Sequence, residues 1–379
     1  ETFTFSLWSS LLLAAFAFYR ALSFIHELAH LRKNAVPGFH TSWMLLIGIP
    51  LMLPTFLYEG IHTTHHQKQK YGTLLDGEYM RYASAPIGLI IGNFLSHFIL
   101  PLFFVVRFGV LGPLSFLFPN LRVWVKENLS GFTIRFPFKR EISSRPQEQA
   151  IWLYEEVATN IFLWVILLSV FFGYLPAKLF LLYYFIVYLV ATLNSIRTIG
   201  ATHRYRSHGN EISFQQQYKD SVNVNSSRLD SLLLCPVGLR FHALHHLFPG
   251  LPYHALEVAH RRLSAALPAS SDYHKSSLSS VWQGWRELRI SKYNPQPARQ
   301  RNFPPYILMA LLVIGLGVSL LIFKNSQPIS TNESVVANNP LVVDIVGSVY
   351  KVLNGTKQKL ALGMNMGLQW NLWVILVVF

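Results

Sequence analysis

The sequence predicts an all-α integral membrane protein, and three observations support that fold class. Hydrophobic residues make up 51% and charged residues only 13% of the 379 residues, which is too apolar for an ordinary soluble domain. The apolar residues are gathered in runs, several of which approach the roughly 20 residues that a membrane-spanning helix requires. Three short histidine clusters lie beside these runs, with spacings that place imidazoles on one face of a helix.

The apolar runs and the breaks between them predict the individual elements. The runs fall at about 5–25, 41–57, 85–106, 157–174, 177–200 and 305–323, with a short one at 367–379. Length favours four of them as membrane-spanning helices: 5–25, 157–174, 177–200 and 305–323. Leu175-Pro176 makes a tight break between two of these runs, which predicts a helical hairpin. We therefore expect a membrane domain with a cytoplasmic helical cap over residues 1–300, and a C-terminal membrane helix and tail of unknown role over residues 301–379.

The histidine clusters predict a centre that holds two metal ions. They are His26-Glu27-Leu28-Ala29-His30, His62-Thr63-Thr64-His65-His66 and His242-Ala243-Leu244-His245-His246. Together they supply more imidazoles than a single zinc site uses, since zinc normally takes four ligands. Neutral imidazole is also a good ligand for iron. The number and spacing of the histidines therefore favour a pair of iron ions.

A common centre constrains the membrane topology, because all three clusters must then lie on one side of the membrane. An even number of crossings must separate consecutive clusters. Run 41–57 stands alone between the first two clusters and contains Pro50 and Pro54, so we expect a re-entrant or interfacial segment. Run 85–106 would add a third crossing between the second and third clusters. We expect that it also dips into the membrane or lies on its surface.

The formal charge of +14 provides an independent indication of orientation. Seven basic residues lie within 107–156, which predicts a cytoplasmic loop there and places the clusters on the cytoplasmic side. The same charge would attract an acidic protein partner. No nucleic-acid-binding motif accompanies it, so we expect no nucleic-acid partner.

The motifs in this order resemble the three histidine boxes of integral-membrane fatty acid desaturases and related hydroxylases. The resemblance covers about residues 20–265. It includes Tyr71-Gly72-Thr73 and Asp76-Gly77-Glu78-Tyr79 after the second box. The stretches on either side of the third box, at 236–241 and 248–254, are similar to those of bacterial members.

This resemblance implies a di-iron oxidoreductase with O2 as co-substrate, built from four core transmembrane helices below a cytoplasmic cap in the bacterial inner membrane. It also implies one further ligand histidine at the cytoplasmic end of the last core helix. His203 matches that position best, and His208 is a rival. The metal ligands are then expected to be His26, His30, His62, His65, His66, His203, His242, His245 and His246.

Three carboxylates lie close enough in sequence to orient these ligands. Neutral imidazoles leave the iron pair strongly positive, and a carboxylate can fix a histidine tautomer through the ring N–H that does not bind metal. Glu27, Asp76 and Glu78 are the candidates. For Asp76 and Glu78, a solvated turn around Gly77 is an equally good interpretation.

The reaction is open at this point. Desaturation of a fatty acyl chain is our first choice, while the same boxes resemble those of hydroxylases, ketolases and alkene-forming decarboxylases that act on lipids or carotenoids. A different class is an intramembrane zinc protease with His26 and His30 as ligands, Glu27 as general base and Asp76 as third ligand. A third possibility is a non-catalytic membrane subunit that has kept the scaffold.

The expected partners follow from the same motifs. The substrate would be an acyl lipid, an acyl thioester or a free fatty acid within the lipid bilayer. The single Cys235 excludes a cysteine-bound iron–sulfur cluster, and no haem-binding or dinucleotide-binding motif is present. A separate electron donor, such as a ferredoxin or a cytochrome, is therefore expected.

Overall fold

The computed structural model describes residues 2–32, 35–80, 82–133, 138–207, 209–226 and 229–290. The predicted C-terminal helix at 305–323 and the tail up to residue 379 lie outside these residues, as does His208. Within the described part, the predicted all-α fold is confirmed, because helices account for nearly all of the regular structure.

Fifteen α-helices follow one another along the described chain. They are α1 (Thr2–His30), α2 (Phe39–Trp43), α3 (Glu59–His65), α4 (Ile87–Ser96), α5 (Leu100–Val106), α6 (Gly112–Leu117), α7 (Pro119–Asn128), α8 (Pro146–Phe171), α9 (Lys178–Ala201), α10 (Phe214–Asp220), α11 (Leu229–Leu234), α12 (His242–Leu247), α13 (Tyr253–Ala266), α14 (Asp272–Lys275) and α15 (Val281–Ile290). Met44–Gly48 and Arg107–Leu111 form π-helical turns, and Thr55–Leu57 and Tyr82–Ser84 form 3-10 turns. Strands β1 (Asn223–Val224) and β2 (Ser277–Leu278) pair in parallel.

Four helical segments are long and apolar enough to cross a membrane: Trp8–His30, Leu100–Leu117, Pro146–Phe171 and Lys178–Ala201. Three of them match the predicted runs 5–25, 157–174 and 177–200. The fourth, which comprises α5, the π-helical turn and α6, begins inside the predicted run 85–106 and extends beyond its end. The expectation that run 85–106 only dips into the membrane or lies on its surface is therefore not supported for residues 100–117.

Helices α8 and α9 form the predicted hairpin. Gly173, with a φ of 76°, closes α8 in the left-handed conformation that glycine adopts readily, and Pro176 precedes α9. Helix α1 packs against α9, with Tyr19 and Leu22 in the same buried core as Val187 and Val190. Because α1 and α9 both end at histidines of the centre, they run in the same direction and α8 runs in the opposite one.

The segment at 39–57 forms no continuous helix, as its two prolines predicted. Its backbone is covered by protein: Trp43 Nε1 donates a 2.8 Å hydrogen bond to the carbonyl of Ala21 in α1. Leu51 and Leu53 are buried in the core that α1 and α9 share. This is the environment in which irregular backbone is tolerated at membrane depth.

The chain between the second histidine box and α8 returns to the end of the bundle from which it departs. Before α4, the ring of Tyr82 lies 5.0 Å from that of Tyr205, two residues after His203. After α7, the backbone N–H of Phe132 donates to the carbonyl of Leu57, close to the second box. Both ends of this stretch therefore lie at the same end of the bundle, as a common centre requires.

The prediction of a loop over residues 107–156 is wrong at its first two basic residues. Arg107 and Arg122 both lie in helical segments. Arg107 is fully buried and forms a 2.6 Å ion pair with Glu156 of α8, and Arg122 pairs with the second oxygen of that carboxylate at 2.6 Å. Arg107 also donates to the hydroxyl of Ser130. A buried arginine is tolerated when it is paired and hydrogen-bonded in this way, so the helix continues through Arg107.

Candidate metal centre

Four elements bring the predicted histidines to one end of the bundle. His26 and His30 lie in the last turns of α1, and α3 carries the second box. The third box forms the short helix α12, whose residues are all buried up to His246. His203 follows the end of α9, where it is held by an antiparallel bridge to Ser221.

The first group of histidines consists of His26, His30, His62 and His245, whose ligand nitrogens all lie within 4.8 Å of one another. Nε2 of His30 is 2.8 Å from Nε2 of His62. Nε2 of His66 lies 3.1 Å from Nε2 of His62 and 3.1 Å from Nε2 of His245. His66 is therefore a fifth imidazole at the edge of this group.

The second group consists of His65, His203, His242 and His246, which are all buried and meet the same 4.8 Å limit. Nε2 of His242 lies 3.2 Å from Nε2 of His203 and 3.1 Å from Nε2 of His246. The rings of His66 and His246, one from each group, have centroids 4.5 Å apart. The two groups are therefore neighbours.

The chemistry of these donors fits two metal ions. Both ring nitrogens of His26 and Nε2 of His65 are buried without a hydrogen-bond partner in the described part of the chain, which is unfavourable for a polar atom with no further partner. Ligands about 2.1 Å from one ion lie roughly 3.0–3.4 Å apart, which is close to the 2.8–3.2 Å spacing of the Nε2 atoms. Nine imidazoles then provide four or five donors per ion.

The protonation state of the histidines also suits metal binding, which requires a neutral ring. Burial lowers the pKa of His62, His66, His242 and His246 well below the usual value, and the neighbouring imidazoles lower it further. His65 differs. Burial lowers its pKa, but the charge and hydrogen bond of Asp76 outweigh this effect, so its pKa is raised.

Asp76 and Glu78 both lie against box histidines rather than in a solvated turn. The fully buried Asp76 accepts a 2.8 Å hydrogen bond from Nδ1 of His65. Both carboxylate oxygens of Glu78 lie 3.1 Å from Nδ1 of His62. Burial raises the pKa of Glu78 to about 7, although the charges of His65 and Arg197 oppose the shift.

Glu27 has a different partner from the one predicted. Its Oε2 accepts a 3.3 Å hydrogen bond from the backbone N–H of Tyr253, at the start of α13. None of the hydrogen bonds described for the chain joins Glu27 to a histidine. Glu27 therefore ties the first box to the segment that follows the third box, and no hydrogen bond among the described residues supports its predicted role in fixing a histidine tautomer.

The structure also reveals an orienting network that the sequence analysis missed. Nδ1 of His203 lies 2.9 Å from the hydroxyl of Tyr71, and this hydroxyl is 3.0 Å from Oδ2 of Asp220. The hydroxyl of Tyr79 donates to the same oxygen at 2.6 Å. Tyr71 and Tyr79 belong to the segment after the second box that carried the resemblance, whereas no motif in the sequence marks Asp220.

A cavity lies beside both groups of histidines. His26 and His62 of the first group and His203 and His242 of the second line it. Three apolar side chains also line it: Leu22 of α1, Leu53 of the 39–57 segment and Leu239 before the third box. Polar residues of α9 complete the lining. A smaller apolar cavity shares Leu22 and Leu53 with it and continues along α9 past Ala191, Val190 and Val187.

The arrangement does not match the zinc protease alternative. In that alternative Asp76 would join His26 and His30 as a ligand of one ion. Asp76 instead bonds to His65 of the other group, while His26 and His30 meet His62 and His245. Both His-x-x-His-His boxes are thus integral to the centre.

Comparison with known proteins identifies the family of the chain. The model of the fatty acid desaturase family matches residues 3–277. A protein of Caulobacter vibrioides (strain NA1000 / CB15N), described as a ceramide hydroxylase, is 39% identical over 295 residues, which cover 78% of this chain and 83% of that protein. No solved structure gives a significant match. The chain belongs to the fatty acid desaturase family, and it is an integral membrane oxidoreductase of the desaturase and hydroxylase type.

Proposed function

We propose that the protein is an O2-dependent membrane lipid hydroxylase that uses two iron ions. The observation that carries the proposal is the pair of adjacent four-histidine groups, which border a cavity with an apolar extension along α9. Iron bound there would activate O2 to remove hydrogen from an unactivated C–H bond. All nine predicted histidines, from His26 to His246, are proposed as its ligands.

The residues of this chain would hold the ligands and the lipid in place. Asp76 and Glu78 are proposed to keep Nδ1 of His65 and His62 protonated, so that Nε2 of each ring faces the metal. The apolar walls formed by Leu22, Leu53 and Leu239 would exclude water and align the lipid chain. Because C–H bonds along a chain are nearly identical chemically, this alignment would decide which one reacts.

A ceramide is the proposed substrate, since the relative described as a ceramide hydroxylase covers most of both chains. Hydroxylation therefore replaces desaturation as the first choice. Desaturation of an acyl chain is the second candidate, favoured by the match to the desaturase family over residues 3–277. Both reactions begin with removal of hydrogen from carbon, and small changes in substrate placement decide between them.

Electrons would come from a separate donor at the cytoplasmic side of the bacterial inner membrane. The part of the sequence outside the apolar runs is basic, which supports both this orientation and an acidic partner. A ferredoxin or a small cytochrome has the required character.

Lipid mass spectrometry of a host with a defined lipid profile tests the proposal. The full chain should be expressed with and without added ceramide, and the lipids compared with those of the empty host. We expect ceramide that has gained one oxygen atom. Loss of two hydrogens would instead identify a desaturase, and an unchanged lipid profile from iron-loaded protein would favour the non-catalytic subunit.

Histidine variants give the matched controls. His62→Ala and His245→Ala each remove one ligand of the first group and should abolish the new product. His254→Ala removes an exposed imidazole on α13 and should retain it. Activity that persists in both ligand variants would contradict the di-iron assignment.

A further inference from the structure

Arg197 lies in the wall of the cavity beside the metal centre, where its charge acts on Glu78 of the same wall. It lies near the end of α9, within a segment apolar enough to span the membrane. None of the described carboxylates forms an ion pair with it, whereas Arg107 and Arg122 share Glu156. A buried donor of a charged group is unfavourable without an acceptor, so the location of Arg197 calls for a partner.

The neighbours of Arg197 hold the guanidinium group but do not satisfy it. Nη2 donates hydrogen bonds to Oδ1 of Asn194 at 2.9 Å and to the hydroxyl of Thr198 at 3.0 Å. Nε is buried and has no hydrogen-bond partner. The side chain is therefore positioned in the cavity wall with one donor that the described residues leave unsatisfied.

Polar and apolar residues follow a definite order along α9. Val187, Val190 and Ala191 line the smaller apolar cavity, Asn194 lines both cavities, and Arg197 lines the cavity beside the centre. The helix ends at Ala201, roughly 6 Å farther along its axis at 1.5 Å per residue, and His203 follows two residues later. A lipid lying along this face would have its chain beside Val187 and its polar end near Arg197, close to the metal.

We propose that Arg197, held by Asn194 and Thr198, binds an acceptor oxygen at the polar end of the lipid substrate and thereby directs oxidation to carbons near that end. In a ceramide, the acceptor is the amide carbonyl. This inference rests on the proposed function and adds to it which carbon of the lipid is oxidised. The carbon that reacts lies a few bonds from the polar group, and the rest of the chain occupies the apolar cavity.

A binding experiment with metal-free protein tests the anchor without requiring turnover. Full-length protein in nanodiscs is titrated with a short-chain N-acyl sphingoid lipid and with a dialkylglycerol ether of matched chain length, which has no carbonyl. Wild-type protein should prefer the N-acyl lipid. Arg197→Met should weaken binding of the N-acyl lipid about ten- to hundredfold, as expected for loss of a hydrogen bond from a charged donor, and leave binding of the ether unchanged.

Further variants separate loss of the anchor from a general loss of structure. Asn194→Leu removes a residue that positions the guanidinium group and should weaken N-acyl lipid binding selectively, even if Arg197→Met does not fold. Arg286→Met, on the exposed side of α15, should bind as wild type does. Equal affinity of the wild type for the two lipids, or equal losses for both lipids in a variant, would overturn the proposal.

Product analysis of the iron-loaded protein provides the second readout. Wild-type protein should oxidise one position near the polar end, and Arg197→Met should spread oxidation over several positions. An unchanged single position in Arg197→Met would also overturn the anchor. If wild-type protein binds the N-acyl lipid selectively but oxidises no lipid, the proposed function fails while the anchor stands.

Discussion

The carboxylate of Asp76 accepts a 2.8 Å hydrogen bond from Nδ1 of His65, and both side chains are buried. The same oxygen accepts a 2.9 Å bond from the backbone N–H of Gly72, and the other oxygen accepts a 3.0 Å bond from that of Glu78. The turn therefore fixes the carboxylate, which in turn fixes the ring. Nε2 of His65 is left facing the other histidines of the second group.

Asp76→Asn should lower the affinity of the second histidine group for metal by about ten- to hundredfold, the range seen when such orienting partners are replaced. The amide keeps the approximate shape of the side chain but removes its charge. The measurement is Fe(II) or Co(II) binding in competition with a chelator. Glu141→Gln, whose side chain is 75% exposed, is the matched control and should bind metal as wild type does. Equal affinity in the two variants would show that Asp76 has no orienting role.

His203→Ala should remove metal from the second group, because His203 supplies one of its four converging nitrogens. The metal content of purified protein, measured by mass spectrometry, should fall towards one ion per chain. His208→Ala tests the rival position named from the sequence and should retain both ions. The reverse result would reassign the ninth ligand.

Removal of metal should lower the melting temperature of the detergent-purified protein. A ligand present at a hundred times its Kd stabilises the folded state by about 2.7 kcal/mol, and the metal-free centre leaves His26 and His65 with buried, unpartnered nitrogens. Chelation followed by reloading with Fe(II) should lower and then restore the melting temperature. The double variant His245→Ala and His246→Ala, which lacks one ligand from each group, should respond much less to the chelator.

Gly284→Ala should destabilise the protein, because a Cβ atom at this position would overlap the carbonyl oxygen of Gly200. Helices α9 and α15 approach so closely here that a methyl group would force them apart, at a cost of about 1–3 kcal/mol. The melting temperature measures the effect. Gly92→Ala, which has open space around it in α4, should leave that temperature unchanged or raise it slightly.

The convergence of the histidines could be predicted from the sequence because eight of the nine histidines lie in three five-residue segments. A His-x-x-His-His spacing on one helical face has few uses other than metal binding, and a common centre then restricts the topology. That reasoning identified the run at 41–57 as a segment that does not simply cross the membrane, whereas the hairpin of α8 and α9 was predicted from the break at Leu175-Pro176. It also required that the chain return to the same end of the bundle between Tyr82 and Phe132, which the contacts of these two residues show.

Contacts between residues far apart in the sequence could not be predicted in the same way. The charge of Arg107 suggested a loop, and only the carboxylate of Glu156, far along the chain, explains why a helix continues there. Asp220 and the backbone N–H of Tyr253 likewise have no local pattern that assigns them to Tyr71 and Glu27. Such partners depend on which helices pack together, which a single sequence does not specify.

The distribution of the third box between the two groups has a consequence for biosynthesis. His245 belongs to the first group, whereas His242 and His246 belong to the second. A growing chain that has inserted α1, α8 and α9 into the membrane still lacks a donor for each ion until it has been translated through His246. Complete metal sites can then form only after helix insertion, and a message truncated before the third box would encode a membrane-embedded protein with neither four-histidine group complete.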